Sequence, residues 1–206
     1  MATPEQPQTY LITPPSFELS RFPDRLAAVL DRHDIACVRL AMATQDAAEL
    51  SRAADACREV AHARDVAIVV SDQLRMVETL GLDGVHLSDG ARQVRAARKA
   101  LGADAIVGAF SRGSSHDGMT AGEGGADYVA FGPVSDTGLG DGTVAEQALF
   151  AWWSQMIELP VVAEGGLSVQ MIETLAPVTD FFGIGPEIWD AEDASSALSG
   201  LLAPLR

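Results

Sequence analysis

The sequence has few basic residues. It contains 14 Lys and Arg against 29 Asp and Glu, which gives a formal net charge of −15 at pH 7. Proteins that bind nucleic acids or anionic membrane surfaces need basic faces to contact phosphate groups. The charge therefore argues against a nucleic-acid or membrane partner and favours an enzyme or a binder of small molecules.

Cysteine and long apolar segments are also scarce. Only Cys37 and Cys57 are present, in no metal-ligand spacing, so we expect buried free thiols. No apolar run approaches the roughly 20 residues that a membrane-spanning helix needs. The N-terminal sequence MATPEQPQ lacks the basic and apolar regions of a signal peptide. These features predict a cytoplasmic protein.

The sequence does contain a regular alternation of strand-like and helix-like segments. Eight short β-rich runs are separated by stretches whose apolar residues recur at intervals of three and four. Continuous apolar strands need cover on both faces, which the intervening helices would supply. The pattern predicts an α/β protein with a (β/α)8 TIM barrel fold, as a single compact domain over residues 1–206. An open doubly wound sheet is the alternative.

The seventh predicted strand ends in an unusual sequence, PVVAEGGL, from Pro160 to Leu167. The chemistry of barrel enzymes takes place at the carboxyl ends of the strands, and a phosphate site often follows strands seven and eight. Gly165 and Gly166 would let backbone N–H groups approach a phosphate, with Ser168 as the N-cap of the next helix. Glu164 directly precedes them, and its negative charge would work against a phosphate.

The other predicted strand ends provide further candidate residues, each with a structural alternative. Arg39 either contacts substrate or pairs with a barrel acid, and Asp72 either binds a ligand or caps the third helix. His86 is more typical of a hydrogen-bonded core histidine. Glu187, like Glu164, is a charged residue that needs a partner if it is buried, and the two carboxylates could bind a cation or transfer protons.

Four segments resemble one known superfamily. GADYVAFGPVSDT, which ends at Thr137, is similar to the sixth strand of the thiamine phosphate synthase and thiazole tautomerase (TenI-type) superfamily. GLDGVHL resembles its fourth strand, VVSDQ its third and PVVAEGGL its seventh. The resemblance extends in consistent order from about Ala36 to Ala197.

The resemblance implies a reaction and a set of site residues. The synthases join a pyrimidine pyrophosphate to a thiazole phosphate and release pyrophosphate with the help of Mg²⁺, so a phosphorylated heterocycle is the expected ligand. A homodimer is left open. The resemblance and the strand-end positions together suggest catalytic roles for Arg39, Asp72, His116 and Glu187; substrate or phosphate contacts for Thr137, Glu164, Gly165, Gly166 and Gly185; and magnesium binding by Asp72 and Asp89.

The chain departs from the family pattern at several of these positions. Cys37 and Ala41 replace the Gln and Lys of the second strand, and Leu139 and Gly140 replace a Thr and a Lys after the sixth. Glu187 stands close to the phosphate anchor of the eighth strand. Lost bases and gained acids predict an altered site.

Three functions remain open from the sequence. The first is a divergent thiamine phosphate synthase. The second is a TenI-like isomerase of a small heterocycle, in which His116 or Glu187 would act as acid or base. The third is a barrel that binds a ligand without catalysis.

Overall fold

Eight parallel strands form a closed barrel in the computed structural model, which describes residues 6–206. Each strand pairs with the next along the chain, and the last pairs with the first. The strands are β1 (Gln8–Ile12), β2 (Ile35–Leu40), β3 (Ala67–Ser71), β4 (Gly84–Leu87), β5 (Ile106–Phe110), β6 (Tyr128–Phe131), β7 (Val161–Glu164) and β8 (Phe181–Ile184). The predicted (β/α)8 barrel is confirmed, and the open sheet is wrong.

Helices connect the strands on the outside of the barrel. They are α1 (Phe22–Leu30), α2 (Ala47–His62), α3 (Leu74–Leu80), α4 (Gly90–Leu101), α5 (Ser115–Gly124), α6 (Gln147–Met156), α7 (Val169–Leu175), α8 (Pro186–Trp189) and α9 (Ala194–Leu201), followed by a 3₁₀ turn (Ala203–Leu205). Helix α6 begins at Gln147, and just before it the backbone N–H of Ala145 donates to the carbonyl of Pro133, which ties the α6 entrance to the loop after β6.

Two apolar layers hold the barrel together. The larger layer lies between the strands and the helices and includes Trp153, Phe131 and Phe150. The smaller one fills the barrel interior, where alternate strand residues point inward. It contains the buried side chains of Tyr10, Cys37, Val69, Phe110, Tyr128, Ala130 and Val162.

The structure also shows the state of the two cysteines and the character of the helices. Cys37 and Cys57 are free and buried, and burial raises the pKa of each thiol to about 12. None of the helices within residues 6–206 combines the length and apolar character needed to cross a bilayer.

Candidate active site at the carboxyl end of the barrel

Arg39 and Glu164 form an ion pair inside the barrel. Arg39 Nη2 lies 2.8 Å from Glu164 Oε2, and the two residues are only 7% and 1% exposed. The approach lacks the geometry of an aligned hydrogen bond, and Arg39 Nε has no partner within the described chain. Of the two interpretations of Arg39, the structure shows pairing with a barrel acid. Arg39 neutralises the negative charge of Glu164, which was expected to work against a phosphate.

Burial and charge act in opposite directions on Arg39. Burial lowers the pKa of the guanidinium, but the Glu164 carboxylate and two nearby tyrosines outweigh it, and the pKa lies above its ordinary value. Arg39 therefore stays charged. Because the charge is so little exposed, removing its counter-ion would strongly destabilise the fold.

A chain of hydrogen bonds continues from Arg39 across the barrel. Arg39 Nη1 lies 2.6 Å from His86 Nε2, and His86 Nδ1 lies 2.9 Å from the hydroxyl of Tyr128. That hydroxyl is 2.7 Å from the hydroxyl of Tyr10. A guanidinium only donates, so Nε2 of His86 must accept and Nδ1 must carry the proton that it donates to Tyr128. His86 is thus neutral, and its burial, with the charge of Arg39, holds its pKa well below the usual value.

Glycines on two strands make room for this buried network. A Cβ on Gly108 would lie 2.0 Å from the ring of Tyr128, and one on Gly183 would lie 2.9 Å from Cβ of Glu164. Both positions therefore require glycine, because each lies beside a large side chain on the adjacent strand. The interior is filled by polar side chains as well as apolar ones.

The two glycines after β7 adopt a backbone that other residues rarely take. Gly165 and Gly166 have φ of 84° and 79°. A Cβ on Gly166 would lie 1.9 Å from Ser135 Oγ, and the Ser135 hydroxyl donates to the Gly166 carbonyl at 2.8 Å. The turn is thus packed against the loop after β6. Ser168 caps α7 as expected, accepting from the N–H of Met171.

The carboxylate of Glu187 occupies a group of backbone N–H donors at the ends of β7 and β8. Oε1 accepts from the N–H of Gly166 at 3.2 Å and of Leu167 at 3.1 Å, and Oε2 accepts from Gly185 at 2.8 Å. We call these three N–H groups the amide cradle. Glu187 and Glu164 have different partners, so the structure gives no support to their acting together as a carboxylate pair.

Asp72 connects the loops after β3 and β4. Its carboxylate accepts from the backbone N–H of Ser88 at 2.8 Å and from the Ser88 hydroxyl at 2.7 Å. It does not cap α3, whose N-cap residue is Gln73 without a side-chain bond, so that interpretation is wrong. Asp72 has φ of 59°, a conformation that Asp tolerates better than most residues.

The expected magnesium ligands lie on adjacent strand ends. Asp89 follows Ser88 directly, and its carboxylate is a distant 4.0 Å from Arg92. No group of three or more His, Cys, Asp or Glu within residues 6–206 is arranged to hold a metal ion. Magnesium, however, commonly takes one or two carboxylates and completes its shell with water and substrate phosphates. The oxygen donors of Asp72 and Asp89 fit that chemistry.

Two cavities open beside these residues. One of about 150 Å³ is lined by Asp89, Arg92, Arg112 and Asp117, and one of about 460 Å³ by Ser88, Phe110, Arg112, Leu139, Gly140 and Asp141. Arg112 is exposed, lines both cavities and has φ of 52°. Together with Arg92, which lines the first cavity, it brings positive charge to the barrel mouth.

Thr137 and His116 occupy different surroundings. Thr137 is half-buried in the loop after β6, where its hydroxyl accepts from the N–H of Leu139 at 3.3 Å and its methyl group packs close to Gly166. His116 is exposed on the first turn of α5, whose N-cap is Ser114. Neither cavity is lined by His116, so its catalytic role stays a prediction.

Comparison with known proteins identifies the family of the chain. The family model described as thiamine monophosphate synthase matches residues 9–180. The chain belongs to this family. Among its relatives, the thiamine-phosphate synthase of Rhodospirillum centenum is 40% identical over 183 residues, 88% of each chain. The thiamine-phosphate synthase of Hyphomonas neptunium is 37% identical over 195 residues, covering 91% of this chain and 88% of the relative.

Solved structures share the fold of this family member. Thiamine phosphate pyrophosphorylase from Pyrococcus furiosus superposes with a TM-score of 0.83 at 21% identity, covering 96% of this chain and 95% of that one. Orotidine 5′-phosphate decarboxylase from Pyrococcus horikoshii gives a TM-score of 0.69 at 13% identity, with 95% and 99% covered. These similarities concern the barrel, and the family resemblance seen in the sequence is confirmed by the family match.

Sequence reasoning missed two members of the buried network, Tyr10 and Tyr128. Both lie on strands, Tyr10 on β1 and Tyr128 on β6, and their hydroxyls end the hydrogen-bond chain from Arg39. The period-two alternation on β6, together with Gly108 on the neighbouring strand, is the signal that could have placed Tyr128 inside the barrel. Of the two glycines predicted to present N–H groups, Gly166 belongs to the amide cradle and Gly165 does not, and the occupation of the cradle by Glu187 was not predicted.

Proposed function

We propose that this protein is a thiamine-phosphate synthase that joins a hydroxymethylpyrimidine pyrophosphate to a thiazole phosphate at the carboxyl end of the barrel. The observation that carries the proposal is the family match over residues 9–180, with relatives of that name at 40% and 37% identity. The isomerase and the non-catalytic barrel have no comparable support.

The reaction needs an anchor for the thiazole phosphate. The amide cradle of Gly166, Leu167 and Gly185 presents three N–H donors at the strand ends where barrels commonly bind phosphate. Thr137 lies beside Gly166 with its methyl group closest to the glycine, and we assign its hydroxyl, which accepts from Leu139, a further contact to the phosphate. We assign the thiazole phosphate to this cradle.

The reaction also needs positive charge where pyrophosphate leaves. Departure of pyrophosphate leaves a carbocation-like pyrimidine, which the thiazole nitrogen attacks, so departing negative charge must be stabilised. Arg39 is already paired with Glu164 and lies below the mouth. Arg112, exposed between two cavities, is our candidate for this contact, and Arg39 is assigned a supporting role inside the barrel.

Magnesium would be held by Asp72 and Asp89, with Ser88 fixing the carboxylate of Asp72 through two hydrogen bonds. When bound, the ion would neutralise charge on the pyrophosphate oxygens. The role of this chain is to keep the two carboxylates at adjacent strand ends, where Asp89 and Ser88 line the cavities that Arg112 also lines.

The decisive experiment measures thiamine phosphate formed from the two substrates and Mg²⁺, beside an authentic synthase as control. We expect product, an at least tenfold lower rate in Asp72→Asn, and a similar loss in Arg112→Ala. Arg95→Ala, which removes an exposed charge from α4, is the matched control and should keep its activity. No product from folded protein with an active control would refute the synthase.

Oligomeric state is a separate proposal. Trp152 and Met156 lie one turn apart on α6 and are 40% and 64% exposed. Exposed large apolar side chains on one helix face are typical of protein contacts. We propose a homodimer through this face, and light scattering of Met156→Lys should show a shift toward monomer.

A further inference from the structure

The amide cradle already holds an anion that belongs to the protein. All three of its N–H groups donate to the Glu187 carboxylate, at 3.2, 3.1 and 2.8 Å. Each backbone N–H is a single donor. A phosphate that binds the same three groups must therefore replace the carboxylate.

The charge of Glu187 is balanced by these N–H groups alone. None of the ion pairs found in residues 6–206 includes Glu187. The residue is half-buried, so part of it reaches water. Leaving the cradle exchanges three backbone hydrogen bonds for hydration and leaves no unpaired cation behind.

The backbone around Glu187 is fixed, so that displacement needs only rotation of the side chain. The indole N–H of Trp189 donates to the carbonyl of Ile12 at 2.7 Å. Arg25 donates to the carbonyls of Trp189 at 3.1 Å and Ala191 at 2.8 Å. These bonds hold α8 and the residues after it against β1 and α1.

We propose that Glu187 is a specificity-determining residue, an internal anion that occupies the amide cradle in the free protein and is displaced by a substrate phosphate. The inference rests on the proposed function for the identity of the substrate. A phosphate near neutral pH carries up to two charges and three acceptor oxygens, so it competes better for the cradle than a singly charged carboxylate. A tethered competitor also has a high effective concentration. Glu187 therefore weakens the binding of every anion to the cradle, and it excludes singly charged anions.

The test measures inorganic phosphate binding by calorimetry in wild type, Glu187→Ala and Glu192→Ala. Glu192 is an exposed glutamate a few residues away, and its replacement makes the same change in net charge. We expect phosphate to bind at least about tenfold more tightly to Glu187→Ala, and with unchanged affinity to Glu192→Ala. Formate, a singly charged anion, should bind only Glu187→Ala. Equal phosphate affinity in wild type and folded Glu187→Ala would overturn the proposal.

A second measurement observes the cradle itself. Phosphate added to the wild type should shift the amide NMR signals of Gly166, Leu167 and Gly185 together, and Glu187→Ala should shift the same signals without phosphate. Should Glu187→Ala fail to fold, Glu187→Gln replaces it, with tighter phosphate binding again expected and unchanged binding counting against the proposal.

The outcome is separable from that of the synthase assay. Tighter phosphate binding in Glu187→Ala with no thiamine phosphate from wild type would leave the inference standing and refute the proposed function. Thiamine phosphate from wild type, together with unchanged phosphate affinity in Glu187→Ala, would support the proposed function and refute the inference about Glu187.

Discussion

The barrel interior and the barrel mouth each contain a glutamate close to the predicted phosphate site, and the two are held in opposite ways. Glu164 is buried and paired with Arg39, which is itself bonded to His86. Glu187 is half-buried and held by backbone N–H groups alone. The comparison shows that burial and partner, rather than residue type, decide whether an acid is part of the framework or free to exchange with a ligand.

The same substitution at both glutamates gives the largest contrast. Glu164→Gln leaves the Arg39 guanidinium buried without a counter-charge, and we expect a loss of about 3–5 kcal/mol in the free energy of unfolding. Glu187→Gln should cost no more than about 1 kcal/mol because its side chain reaches water. Urea denaturation of both variants measures the free energy of unfolding. Equal losses in the two variants would contradict the distinction between interior and mouth.

A rescue variant makes this contrast sharper. Replacing both members of the buried pair, as Arg39→Met with Glu164→Leu, removes both charges together. We expect the double variant to be more stable than Glu164→Gln, because no unpaired charge remains. Failure to recover stability would mean that packing around the pair matters more than its charges.

The glycine turn between the two regions is the next place to test. Gly166→Ala should lower the free energy of unfolding by about 2–3 kcal/mol, through its positive φ and a Cβ 1.9 Å from Ser135 Oγ. Gly200→Ala is the matched control, since this helical glycine faces open space. It should be neutral or stabilising by up to about 1 kcal/mol, as measured by thermal and urea unfolding.

The neutral histidine of the interior predicts a pH dependence of stability. The pKa of His86 in the folded protein lies well below its ordinary value of about 6.5, so below that pH the unfolded chain binds more protons than the folded one. His86 therefore contributes stability that is present above about pH 6.5 and is lost as the pH falls, with a slope of up to about 1.4 kcal/mol per pH unit.

Variants isolate the contribution of His86 from that of other groups. Urea unfolding between pH 7.5 and 5 should show a smaller slope in His86→Gln than in wild type. His116→Gln, which replaces an exposed histidine, should keep the wild-type slope. Identical slopes in all three proteins would mean that His86 is not held neutral.

The smallest expected effect lies at the end of the hydrogen-bond chain. Tyr10→Phe removes one bond to the Tyr128 hydroxyl and should cost about 1 kcal/mol. Tyr128→Phe also leaves His86 Nδ1 without its acceptor and should cost more. Chemical denaturation of the two variants gives the order, and the reverse order would contradict the position of Tyr128 between His86 and Tyr10.

Much of the framework was accessible from the sequence. Strand-like runs alternating with amphipathic helices predicted the closed barrel, because continuous apolar strands need helical cover. The Gly165–Gly166 pair predicted a glycine turn at the end of β7, and the structure has one there, with the Gly166 N–H bonded to Glu187. Ser168 was predicted to cap a helix, and it does.

The partners of the charged residues were not accessible in the same way. Arg39 and Glu164 were both assigned to strand ends, but period-two alternation says only that a side chain faces inward, not which side chain it meets across the barrel. Local sequence makes Asp72 a candidate helix cap, but its carboxylate accepts from Ser88 at the next strand end. Local patterns carry no information on such contacts.

The sequence by itself determined the barrel, its family and the position of the glycine turn, since all three depend on local periodicity and on motifs within single segments. Only the tertiary structure decided that Glu164 neutralises Arg39 and that Glu187 occupies the amide cradle. The reason is physical: hydrogen bonds and ion pairs depend on distances of about 3 Å, and barrel closure sets those distances between strands that lie far apart along the chain.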